Sequence, residues 1–200
     1  IFSTLLKFQS DYVKDEVTAE FLQICRTRAS AMSFVHEKLY VQTDMGKVDF
    51  ENFLMLLIPH LYTTYDVDKK RIPYYIDVEN ILLPIDTAIS CGLIVNELVT
   101  HSLQHSFNNV KKGVLAIVMQ EEEKGKYLLS VRDNGTVYSG RRNKPASFSM
   151  VLVGMLAKKL KGSSINFTNV VNYNHSLSML YKQLNVTNTF TMSQSAGINL

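Results

Sequence analysis

The chain has no tryptophan and only two cysteines, four prolines and nine glycines among its 200 residues. Cys25 and Cys91 cannot build a disulfide scaffold, and neither sits in a Cys-x-x-Cys or histidine-rich metal spacing, so a reducing cytoplasm is the expected setting. So little proline and glycine excludes collagen-like and linker-like chains. Charge of one sign is lacking too: 21 Lys and Arg against 18 Asp and Glu leave a net +3, too weak a balance to imply a nucleic-acid partner. No apolar run reaches the ~18 residues of a membrane span, and the longest, 53–58 and 89–95, are of core size, so no membrane contact is expected of this segment. The chain opens at Ile1 without a methionine or a charged leader region, which predicts that further sequence precedes it.

What is present is 46% hydrophobic and 20% charged, enough to bury one core, with or without a helical appendage. The first 65 residues carry a helical period, with Val17, Phe21 and Ile24, then Met32, Val35 and Leu39 recurring at three and four. They read as a helical hairpin of residues 1–12 and 15–40. A third helix starts at Asp49, whose carboxylate can cap free N–H groups, and carries Phe53, Leu54, Leu57 and Leu61, with Pro59 expected to kink it.

The period changes after Asp66. Residues 71–79 read as a strand, and Pro84 and Asp86 open a long helix to about Phe107. Strands over 113–121 and 126–133 form a hairpin across an acidic turn. In the second, Tyr127, Leu129 and Val131 share a face with Asp133, which puts a carboxylate at the rim of the core. A polar loop over 134–146 with Arg141 and Arg142 precedes a helix over 147–160, closed by Gly162. Strands over 165–171 and 176–184 complete the sheet, and 185–200 reads as a tail. The fold class is α+β.

Two motifs carry the chemistry. On the long helix, Glu97, His101 and His105 follow Asn96 at four-residue spacing and project as a stripe. By itself this is the pattern of a solvated polar face, and as a metal site it offers poor geometry. The second motif is Asp133-Asn134-Gly135, by itself a common turn.

In this order the motifs resemble the sensor histidine kinases of the HisKA and HWE-like type, the two-component transmitters whose catalytic domain is of the GHKL ATPase class. Leu5-Leu6-Lys7-Phe8-Gln9-Ser10 and Val35-His36-Glu37-Lys38-Leu39-Tyr40 resemble its dimerisation helices, and Val48-Asp49-Phe50 the entry to its catalytic domain. Asn96-Glu97-Leu98-Val99-Thr100 resembles its asparagine box and Asp133-Asn134-Gly135 its first glycine box. The resemblance implies a dimerisation hairpin over 1–42, its first helix truncated, then a GHKL or Bergerat-type α/β sandwich over 47–184 that binds ATP and Mg²⁺. It implies that Asp133 bonds the adenine amino group, that Gly135 lets the backbone approach the base, and that Glu97 assists phosphoryl transfer. It also implies a homodimer through the hairpin and a response-regulator receiver domain as partner.

The departures are as specific. His101 stands where the family has its magnesium-binding asparagine, and imidazole is a poor donor for so hard an ion. Val137 replaces a hinge glycine of the lid, and Ser149 replaces the glycine of a second box at a helix start that would cradle phosphate. A later glycine-threonine element has no counterpart in Val171-Asn172-Tyr173-Asn174-His175. The phosphoacceptor histidine is not among these residues; His36 matches another family position, and His105 matches a family histidine that supports the site. The alternative reading is therefore a degenerate kinase, a dimeric scaffold or phosphotransfer hub that docks a response regulator without ATP. A GHKL-type anti-sigma switch suits the second half of the chain but leaves the hairpin unexplained.

Overall fold

The computed structural model describes residues 15–41, 46–78, 80–108, 110–123, 126–135, 148–160, 163–168 and 188–194. The elements are α1 (Glu16–Val41), β1 (Lys47–Asp49), α2 (Phe50–Thr64), β2 (Tyr74–Asp77), β3 (Leu82–Pro84), α3 (Ile85–His101), β4 (Leu115–Glu123), β5 (Lys126–Asp133), α4 (Phe148–Lys159), β6 (Ser163–Thr168) and β7 (Asn188–Gln194). A single π-helical turn, Ser102–Ser106, continues α3. The expected first helix, the strand over 176–184, the lid with Arg141, Arg142 and Val137, and Gly162 lie outside the described residues.

The helices start where the sequence supplies an acceptor for their free N–H groups. Asp15 accepts from the Thr18 amide at 2.9 Å, and Asp49 accepts from the Asn52 amide at 3.0 Å, the side-chain capping that satisfies the first turn. α2 then buries Phe50, Phe53, Leu54, Leu57, Ile58 and Leu61 completely. Pro59 lies inside it, and the helix runs on to Thr64. Pro84 stands at the start of α3 with φ −54°, near the value its ring enforces, and Asp86 occupies the first turn, where a carboxylate meets the positive end of the helix dipole.

α3 is the central element. Every residue from Ser90 to Thr100 is buried, because α1, α2 and α4 all pack against it while its C-terminal end meets β5. Gly92 makes the α2 crossing possible: a Cβ there would stand 2.5 Å from the Phe53 ring.

The main sheet has the order β2-β4-β5-β7-β6. β2 runs parallel to β4, and the other neighbours are antiparallel. A parallel pair needs a long crossover, which the β3–α3 segment supplies. Leu115, Ile117 and Met119 of β4 and Leu129 and Val131 of β5 join the helices in one core cluster, the alternate positions that a two-residue period selects. The small antiparallel pair β1–β3 brackets the starts of α2 and α3.

The short strands β1 and β3 were not expected from the sequence, and one strand of the main sheet differs from the expectation. β7, Asn188–Gln194, lies in the stretch read as a tail and sits between β5 and β6. Its register puts Phe190 opposite both Val131 and Phe167, and Met192 opposite both Leu129 and Ile165. An apolar residue aligned on each side fits this segment to an interior position in the sheet.

Candidate functional site

The two motifs meet where β5 ends against the last turns of α3. Asp133 is 5% exposed. Its Oδ2 accepts from the Ser102 hydroxyl at 2.7 Å and from the Ser106 hydroxyl at 3.2 Å, and its Oδ1 accepts from the Gly135 amide at 2.9 Å. Ser102 and Ser106 are the two ends of the π turn, so one carboxylate spans that turn. A π turn is rare, and here a buried side chain from β5 holds it.

Asn134 and Gly135 fix the junction from both sides. The Val114 amide donates to the Asn134 side chain at 2.6 Å, and the Asn134 amide donates to the Val114 carbonyl at 3.2 Å. Gly135 is pressed on the π turn so closely that a Cβ would lie 2.4 Å from the Ser106 carbonyl oxygen. The Asp-Asn-Gly segment is therefore a rigid junction that brings a buried acceptor and a bare backbone together, and only glycine fits its third position.

The stripe on α3 divides among three environments. Glu97 is 2% exposed and lies under α1, where Arg28 Nε donates to its Oε1 at 2.7 Å and Arg28 Nη2 to its Oε2 at 2.6 Å. This is the parallel two-bond geometry that makes arginine–carboxylate pairs strong, and the Glu97 hydrogen bond raises the pKa of the Arg28 guanidinium. Asn96 donates to Glu97 Oε1 at 3.1 Å. Its own Oδ1, and Thr100 Oγ1 one turn on, are buried without a hydrogen-bond partner among the described residues.

His101 is half-buried and His105 exposed, with ring centroids 4.9 Å apart in an edge-to-face arrangement. Burial lowers the pKa of His101, the neighbouring His105 lowers it further, and Asp133 opposes them. His60, packed edge-to-face on Phe34 at 5.3 Å, is lowered by burial and by Arg26. Both therefore bind protons more weakly folded than unfolded. Their stability contribution is present above the ordinary histidine value of 6.5 and is lost as the pH falls through the folded values. Urea unfolding at pH 7.5 and 5.5 checks this: the midpoint drops on acidification, and the drop shrinks in the His60→Phe/His101→Asn double variant.

Of the residues singled out in the sequence, the structure joins Asp133 and Gly135 to the end of α3, and places Asn96 and Glu97 on that helix under α1. Ser149 stands partly buried in the first turn of α4. Sequence reading missed Arg28, Ser102 and Ser106, and gave Asn134 no role of its own within the motif. Ser102 and Ser106 carry a signal, a four-residue spacing on the motif helix. Arg28 carries none, because its partner is 69 residues away.

Residues 1–65 match a family model described as "Histidine kinase". No curated protein matches the chain. Among solved structures, the histidine kinase domain of the Erythrobacter litoralis blue-light activated kinase EL346 aligns at 15% identity with a TM-score of 0.67, covering 96% of this chain and 93% of that one. The Acinetobacter baumannii histidine kinase AdeS aligns at 15% identity with a TM-score of 0.52, again over 96% and 93%. Full-length ShkA in complex with AMPPNP aligns at 15% identity with a TM-score of 0.51, over 99% of this chain and 38% of that one. Residues 1–65 thus carry the histidine-kinase match, and the chain as a whole has the α+β fold of histidine kinase domains.

Proposed function

We propose that the chain is the C-terminal transmitter module of a two-component sensor histidine kinase, and that it binds an adenine nucleotide at the junction of β5 with the π turn. The observation that carries this reading is the buried Asp133 carboxylate set beside the bare backbone of Gly135. A buried carboxylate that keeps acceptor capacity beyond its Ser102, Ser106 and Gly135 donors suits the amino group of adenine. That ShkA was solved with AMPPNP supports the same ligand class. In this reading residues 1–42 belong to a dimerisation hairpin and the α/β part begins near Lys47. Autophosphorylation and transfer to a receiver domain are the reactions that such a module serves, with a second copy and a response regulator as partners. No helix among the described residues is long and apolar enough to cross a membrane.

Magnesium fits less well. Mg²⁺ demands a near-octahedral shell of oxygens, whereas His101 offers a nitrogen and both Glu97 oxygens are bound to Arg28. Among the described residues no group of three His, Cys, Asp or Glu could hold a metal ion. The alternative reading is a scaffold that docks a response regulator without ATP. The two readings separate in calorimetric titrations of ATP with and without Mg²⁺. The nucleotide reading expects binding with little Mg²⁺ dependence, and a gain of Mg²⁺ dependence in the His101→Asn/Ser149→Gly variant. If only that double variant binds ATP, the scaffold reading is correct.

A further inference from the structure

Glu97 is the most confined carboxylate of the site helix, and what confines it comes from α1. α1 lies against α2 and α3 through Thr27, Ser30 and Ala31, which are 0%, 8% and 2% exposed. Side chains this small let two helices approach closely. Farther along the same contact, Gln23 donates to the Thr64 carbonyl at 3.2 Å and Phe34 meets His60. Within it the single ion pair among the described residues is Arg28 with Glu97.

The geometry sets what Glu97 can do in this arrangement. Each of its oxygens accepts from a different nitrogen of the same guanidinium, and Oε1 also accepts from Asn96. At 2% exposure no water or phosphate oxygen reaches the carboxylate unless the guanidinium leaves. Arg28 is 15% exposed, so its departure leads toward solvent, where a guanidinium is well hydrated. Replacing an arginine by water at a buried carboxylate is far cheaper than stripping both ions, which makes lifting of the helix the accessible route.

We propose that α1 is a removable cover over Glu97, fastened by Arg28, and that Glu97 becomes available to a nucleotide held beside Asp133 only when α1 lifts from α3. This rests on the nucleotide reading for its consequence but not for its mechanics. The pair couples the helical segment to the site helix directly: any input that turns or withdraws α1 uncovers the carboxylate, and a ligand that engages Glu97 loosens α1, since such coupling is reciprocal.

Carboxylate footprinting tests the cover on the full chain, with a carbodiimide and glycine ethyl ester as the label and mass spectrometry as the readout. In the wild type Glu97 resists labelling. In Arg28→Gln it labels at least ~10-fold faster, a factor that corresponds to about 1.4 kcal/mol in the opening equilibrium. Arg28→Lys, which keeps the charge but not the two-bond fork, falls between them. Asp133 stays protected throughout, which separates lifting of α1 from general unfolding. Hydrogen exchange over residues 16–41 rises in parallel in Arg28→Gln. If Asp133 also labels, the charge-swapped Arg28→Glu/Glu97→Arg variant decides: restored protection of α1 upholds the fastening, and persistent loss overturns it. Unchanged Glu97 labelling in Arg28→Gln, or rapid labelling in the wild type, also overturns it. ATP titrations of the same proteins report on the nucleotide reading separately: absence of ATP binding ends that reading and leaves the footprint to decide the cover.

Discussion

Arg28→Leu lowers the free energy of unfolding by about 3 kcal/mol, measured by urea denaturation at pH 7.5. The magnitude is the lower end of the cost of breaking a buried ion pair by removing one partner, taken because Arg28 itself is 15% exposed while Glu97 is 2% exposed. The loss is not that of two hydrogen bonds alone. Leucine leaves the Glu97 carboxylate under α1 with only the Asn96 amide donating to it, and an ion without its partner in an apolar surround carries most of the penalty. For a chain of this length the shift is about 6–12 °C in Tm. The double variant Arg28→Leu/Glu97→Leu recovers most of the loss, because replacing both ions by apolar groups removes the desolvation cost together with the attraction. A single-variant loss below about 1 kcal/mol would place the pair with ordinary surface salt bridges, which contribute that little.

Gly135→Ala has the next largest effect, about 3 kcal/mol, at the upper end of the usual cost of overpacking. The added methyl would stand 2.4 Å from the Ser106 carbonyl oxygen, 2.6 Å from its Cβ and 2.7 Å from its carbonyl carbon. Two of these three atoms are backbone, so no rotamer change relieves the contact and the π turn itself must shift. The shift pulls Ser106 from Asp133 and disturbs the Gly135 amide that Asp133 holds, so nucleotide binding falls along with stability. Gly154→Ala is the control. It lies inside α4 with no heavy atom within 4 Å of an added Cβ, and there alanine stabilises by up to about 1 kcal/mol through helix propensity. Equal effects of the two substitutions would refute the close approach at Ser106.

Much of this was legible in the residue pattern, for reasons that can be named. Asp49 and Pro84 mark the starts of α2 and α3 because caps and fixed φ angles act over one turn, within the reach of a local reading. The β4–β5 hairpin follows from a two-residue period on both sides of an acidic turn. The Asp-Asn-Gly motif was visible, but its role as a junction was not. Its partners Ser102 and Ser106 precede Asp133 by 31 and 27 residues, and serines four apart on a helix usually face water. The π turn was invisible for the same reason, since its hydrogen bonding is set by a carboxylate from another strand. The stripe of Glu97, His101 and His105 suggested one polar face, yet α1 covers Glu97 while His105 stays in solvent. Periodicity gives the direction in which a side chain points and not what lies there.

The last described strand shows what a local reading leaves out. Residues 176–184 alternate Leu177, Met179 and Tyr181, and 188–194 alternate Phe190 and Met192 among Thr and Ser. The larger apolar residues made the first the stronger strand on propensity alone. Residues 176–184 lie outside the described residues; in 188–194, Phe190 and Met192 align with apolar positions of both β5 and β6, and such a two-sided match is a property of the sheet.

The central claim is that the buried Asp133 beside Gly135 holds an adenine nucleotide, and calorimetric titration of ATP into the wild-type chain and into Asp133→Ala tests it most directly, with thermal unfolding alongside. The wild type is expected to bind, and ATP at 100 times its Kd to raise the unfolding free energy by about 2.7 kcal/mol. Asp133→Ala is expected to show no binding heat and no such rise. No heat and no thermal shift in the wild type at millimolar ATP, or equal binding by both proteins, would contradict the assignment.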